Sequence, residues 1–183
     1  MNALVKTHPP FTSAEFHKMA AKGAFGDMRV ELRRGMILKM SPQHIPHARV
    51  KSELQHRLEQ GVAAAGLAWE TLTETSVSLD DGFEPMPDIV VFDPALVPAG
   101  AGPVPAAAVK LIVEVSDSSL ADDLGEKRAD YARAGLTEYW VADVAAKVVH
   151  RHGGPAGESY ARLESLGLAV PLPMLTRPDV VAR

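Results

Sequence analysis

Two short apolar runs near the middle of the chain restrict its fold more than any other feature: Asp88-Ile-Val-Val-Phe-Asp93 and Val109-Lys-Leu-Ile-Val-Glu-Val-Ser116. They are rich in β-branched residues and bounded by Pro- or Gly-containing stretches. That pattern predicts strands covered on both faces, as in the interior of an α/β sheet. A carboxylate inside such a strand is costly, since even a neutral polar group buried without a partner costs about 2–7 kcal/mol. Asp88 and Glu114 therefore need partners. A divalent cation is one that serves both, because Mg²⁺ is bound by one or two carboxylates together with water and phosphate oxygens.

The flanking segments predict one α/β domain over residues 1–183, with residues 1–11 and 174–183 loosely ordered. Thr12 or Ser13 caps a helix to about Ala21, and residues 28–40 read as a hairpin turning at Gly35. In residues 45–65, Val50, Leu54, Leu58 and Val62 recur every four residues, an amphipathic helix closed by Gly66. Residues 69–79 read as one Thr-rich strand, and residues 94–108 as a surface loop. A helix is expected from Leu120 to Ala134, then strands at 138–143 and 147–152, a turn at Gly153-Gly154 and Gly157, and a weakly structured tail from Pro171. Strand, helix and strand around residues 109–143 imply a parallel crossover inside a mixed sheet.

Alternation along residues 109–116 puts Glu114 on the face of Ile112 and Ser116. In the next helix Leu120, Leu124, Lys127, Tyr131 and Ala134 form one stripe, so Lys127 lies on the face that packs against the sheet. From there its ammonium can extend to the end of the Glu114 strand, where it can orient a water or offset charge on a phosphorane. Two carboxylates and a lysine in one place suit metal-assisted phosphodiester hydrolysis.

Pro87-Asp88, Glu114-Val115-Ser116 and the run from Ser116 to Asp143, with Lys127, Tyr131 and Glu138-Tyr139-Trp140, resemble the Uma-type restriction endonuclease family of the PD-(D/E)xK nuclease superfamily. The resemblance spans roughly residues 12–173. It implies a restriction-endonuclease-like core, a mixed β-sheet flanked by helices with an N-terminal hairpin. It also implies Mg²⁺-dependent cleavage of DNA, with Mn²⁺ as a substitute, and a metal set of Asp88, Glu114 and the backbone of Val115. Ser116 stands where the superfamily usually has its lysine, and Lys127 takes that role. The rival, Lys110, shares the face of Glu114 but lies about 13 Å away at strand rise. Glu31, in Val30-Glu-Leu-Arg-Arg-Gly35, matches a family hairpin and becomes a third acidic member of the site. His47 matches a family histidine and sits near a helix start, suited to contact DNA phosphate.

Each residue also has a plainer reading. Asp88 could be satisfied by turn amides, Glu114 could form a buried ion pair, Lys127 could pair with Asp123 one turn back, and Glu31 could face outward beside Arg33. Tyr131, Tyr139 and Trp140 read as core aromatics, and Asp93 as a turn residue. His44, His47, His150 and His152 lack the spacing of a helical zinc site, and the absence of cysteine excludes thiolate chemistry and disulfides. The net charge of -4 provides no general attraction to nucleic acid, which favours a catalytically silent module that binds DNA or a protein as the alternative. No apolar core of signal-peptide length and no stretch of ~20 apolar residues stand in the sequence, so a cytoplasmic protein without membrane contact is expected. Cutting both strands of a duplex needs two sites, so a homodimer is expected by analogy.

Overall fold

The computed structural model describes residues 10–100 and 102–183. Helix α1 (Ser13–Ala21) starts in a capping box: the Thr12 hydroxyl accepts from Glu15 N–H while the Glu15 carboxylate accepts from Thr12 N–H. Strands β1 (Val30–Arg33) and β2 (Met36–Lys39) form the hairpin, and Arg34 and Gly35 both take positive φ at its turn. Helix α2 (Ile45–Ala64) buries Leu54, Leu58 and Val62. There follow β3 (Glu70–Thr73), β4 (Val77–Ser78), β5 (Ile89–Phe92), β6 (Val104–Pro105) and β7 (Val109–Ser116). The next helix is continuous but uneven: α3 (Leu120–Asp122), a π-helical turn (Asp123–Lys127) and α4 (Arg128–Arg133). The chain then forms β8 (Glu138–Asp143), β9 (Val148–Ala156), β10 (Ser159–Gly167), β11 (Leu172–Pro173) and β12 (Val181–Ala182).

Six strands make the central sheet in the order β10-β9-β8-β7-β5-β3. Only β7 and β8 are parallel within it, joined by the α3, π and α4 helix, so the expected strand-helix-strand crossover is present. The two faces of β7 divide the core. Leu111, Val113 and Val115 pack with Leu54, Leu58 and Val62 of α2, while Ile112 packs with Tyr131, Ala132 and Tyr139 on the other side. Both central strands are covered on both faces, which is why they are apolar throughout.

Four local expectations are corrected. Residues 69–79 are not one strand: Glu74 takes φ 53, ending β3, and β4 turns away to pair in parallel with β6. Residues 94–108 are more than a surface loop, for they hold two 3-10 turns and β6, with Val104 and Ala108 buried. Gly153-Gly154 do not turn the chain, because β9 runs through them against β10 and only Gly157 is at the bend. The tail after Pro171 forms the β11-β12 ribbon and buries Leu172, Met174, Val180 and Ala182 against α2 and the sheet. Its backbone is held at both ends: Arg57 of α2 donates to the carbonyls of Leu168, Val170 and Ala182, and Glu138 of β8 accepts from Leu175 and Thr176. Of the expected loose N-terminus, residues 1–9 lie outside the described residues; Phe11 N–H donates to Gly35 O.

Candidate active site

β5 and β7 run antiparallel with Ile89 opposite Val113, so one further step of that register sets Asp88 across from Glu114. Both side chains are buried and line one cavity of about 270 Å³ together with Glu31, His47, Val115 and Lys127. Asp88 is fixed at both oxygens: Oδ2 accepts from the Val115 amide at 2.8 Å, and Oδ1 meets His47 Nε2 at 2.9 Å and the Gln43 amide nitrogen at 3.0 Å. Gln43 is in turn held by Lys51, which also bridges to Glu74.

Opposite, Glu114 Oε1 accepts from the Tyr131 hydroxyl at 2.7 Å and lies 3.3 Å from Lys127 Nζ. Lys127 is also 3.1 Å from Asp123 Oδ1, and the other Asp123 oxygen takes hydroxyls from Ser116 and Ser119. The π turn runs from Asp123 to Lys127, and a widened turn of this kind is common at functional sites. Asp123, Lys127 and Tyr131, spaced by four, all reach the Glu114 end of β7.

Electrostatics explain why the groups are arranged this way. Burial, reinforced by Asp123 and Asp88, raises the pKa of Glu114, and Lys127 and the Tyr131 hydroxyl pull against that only in part. Burial works against the Lys127 ammonium, but Glu114, Asp123 and Glu31 outweigh it and hold its pKa above the ordinary lysine value. The site is therefore dense in carboxylates around one ammonium, and a cation would relieve it.

Glu31 is buried on β1, with Oε2 accepting from the Met86 amide at 3.2 Å, so it does not face outward beside Arg33. Arg33 instead binds Asp122 through both terminal nitrogens, at 2.8 and 3.0 Å, and reaches the buried Asp130, tying the hairpin to the helix that carries Lys127. His47 touches Asp88 directly. Lys110 is outside the cavity, 4.0 Å from Asp93 and over the Trp69 ring. Asp93 caps the following 3-10 turn. His152 is buried among Tyr139 and Tyr160, while His150 bonds Ser165.

Sequence reasoning missed Tyr131, Gln43 and Arg33 as members of this network. Tyr131 had a signal, since it shares a stripe with Lys127 one turn away; Gln43 and Arg33 had none, because their partners are 45 and 89 residues distant.

A model of the Uma2 family, described as "Putative restriction endonuclease", matches residues 13–181. The chain belongs to the Uma2 family. Among solved structures, a protein from Anabaena variabilis, titled a putative nuclease belonging to DUF820, aligns with a TM-score of 0.69 at 17% identity, over 91% of this chain and 90% of that one. That likeness shows that this Uma2 protein shares its α/β fold. No curated protein matches the chain. Among the described residues no three His, Asp or Glu side chains are grouped to hold an ion, and no helix is long and apolar enough to cross a membrane. The residues that could hold a cation here are Asp88 and Glu114, with backbone at Val115. That fits Mg²⁺ or Mn²⁺, which complete their shells with water and substrate oxygens, and does not fit a closed structural zinc site.

Proposed function

We propose that this protein is a metal-dependent DNA endonuclease whose working groups are Asp88, Glu114 and Lys127, with Glu31 beside them. The observation that carries the reading is the convergence, on one cavity, of two facing buried carboxylates and a lysine 3.3 Å from one of them. Asp88, Glu114 and the Val115 backbone would hold Mg²⁺ or Mn²⁺, which supplies a water of lowered pKa and positive charge for the phosphate oxygens. The chain's own part is positional. The Val115 amide and His47 aim Asp88, and Tyr131 aims Glu114. Lys127, kept charged by three carboxylates, directs a water or binds a phosphate oxygen as charge grows on it. His47, which lines the cavity, would contact the DNA backbone. DNA would be bound locally here despite the net charge of -4, and the cytoplasm provides both DNA and Mg²⁺.

The test is to incubate purified protein with plasmid and single-stranded DNA in Mg²⁺, Mn²⁺ or EDTA, beside Asp88→Asn and Lys127→Ala. Metal-dependent nicking lost in both variants supports the reading. A folded protein that cuts no substrate with either metal refutes it in favour of a silent binding module.

A further inference from the structure

β10 is an edge strand of nine residues without a Pro or Lys, and most of it is exposed. The opposite edge, β3, is only four residues long and is ended by the positive φ of Glu74. Long flat edges invite pairing with another strand unless they are shortened, bent or blocked. The ladder shows which β10 groups are available. Leu168 N–H donates to Lys147 O just past the strand ends, so by alternation Arg162, Glu164 and Leu166 turn their backbone groups toward β9, and Leu163 and Ser165 turn theirs outward; nearer the hairpin the alternation slips, because Tyr160 pairs with Pro155, which has no N–H, through the Ala161 amide. Among the described residues nothing hydrogen-bonds those outward backbone groups.

The side chains say what fits there. A strand laid antiparallel on β10 about a two-fold axis at Leu163 sets Ala161 opposite Ser165 and Arg162 opposite Glu164. Arg162 and Glu164, which lie 3.1 Å apart within the chain and also reach Leu175 O and Arg151, are thus complementary to the same edge of another copy. Opposite charges directly across strands are favourable, and like charges there are not. On the other face Leu163, 61% exposed, meets its own equivalent. About four backbone hydrogen bonds would form, donated by Leu163 and Ser165 on each side.

We infer that a second copy of this chain docks along β10 with its two-fold axis at Leu163, joining the two central sheets into one. A nine-residue edge is a small interface, so the dimer forms as protein concentration rises.

Sedimentation equilibrium of the full chain over a concentration series tests it, with folding checked by circular dichroism. The wild type is expected to move from 19.6 kDa toward twice that mass. Leu163→Pro removes an outward N–H without touching the β9 ladder and should remain monomeric; Leu163→Lys, which sets two ammonium groups face to face, decides the matter if the proline variant does not fold. Arg162→Glu and Glu164→Arg should each be monomeric alone, facing like with like, and should pair when mixed, since one edge is then all acidic and the other all basic. A wild type that stays monomeric to its solubility limit, a dimer that survives both Leu163 changes, or charge variants that do not pair on mixing would each overturn the inference.

Discussion

Replacing Glu138 with Gln tests how the tail is held. Glu138 is fully buried on β8 and all its contacts are donors: Trp140 Nε1 and the Leu175 amide on Oε1, both at 2.7 Å, and the amide and hydroxyl of Thr176 on Oε2, at 2.8 and 2.7 Å. Glutamine keeps the shape but offers one oxygen. Whichever way its amide turns, an NH₂ faces a backbone N–H, so at least one backbone donor loses its acceptor. A donor left unsatisfied costs about 1–3 kcal/mol, and the other bonds lose the strength of a charged acceptor, so a loss of about 2–4 kcal/mol is expected. That is a large share of the roughly 5–15 kcal/mol by which a domain is stable. The loss should be local before it is global. Leu175 and Thr176 join the two halves of the β11-β12 ribbon, and β12 packs so close to α2 that a Cβ on Gly61 would lie 2.5 Å from Val181 O. Urea denaturation gives the total change, and hydrogen exchange at the amides of Met174 and Val180 shows whether the ribbon opens early. A variant within about 0.5 kcal/mol of wild type, or one destabilised with ribbon protection unchanged, would refute the reasoning.

Three further outcomes follow from other contacts. Tyr131→Phe keeps the packing and removes the hydroxyl from Glu114; at about 1.5–3 kcal/mol for a bond to a charged acceptor, the proposed cleavage should slow roughly ten- to a hundredfold with little change in KM, measured by steady-state kinetics on plasmid. Gly61→Ala should destabilise by about 1–3 kcal/mol through its collision with Val181, whereas Gly125→Ala, with open space around its Cβ, should not; thermal unfolding of the two separates close approach from helix propensity. Burial, with help from Arg128 and His150, lowers the pKa of His152 to about 4. The unfolded chain binds that proton first as pH falls, so this contribution is whole above the unfolded value and is lost as pH falls toward the folded one. It amounts to about 2 kcal/mol between about pH 7 and about pH 5. His152→Gln should flatten the acid limb of the stability profile by that amount, read from urea midpoints; an unchanged limb would show that His152 is not buried neutral.

Local chemistry sufficed for the elements whose character is written in neighbouring residues. The apolar runs of β5 and β7, the four-residue recurrence in α2 and the capping box at Thr12 each depend on contacts within a turn or a pleat, and the chain carries them openly. The same alternation put Glu114 on the helix face of the sheet and Lys127 on the sheet face of the helix, and they lie 3.3 Å apart. What tertiary structure alone decided is whatever depends on distant partners. Glu74 breaks a strand that propensity favours, and ion pairs to Lys51 and Arg29 hold it where it does so. The tail is too rich in proline to order by local propensity, and it orders because Arg57 and Glu138, 125 and 37 residues away, bind its backbone. Hydrogen-bond partners so far apart leave no periodic trace in a sequence: an arginine or glutamate that anchors a backbone reads the same as one that faces water until the fold sets its acceptors or donors in place.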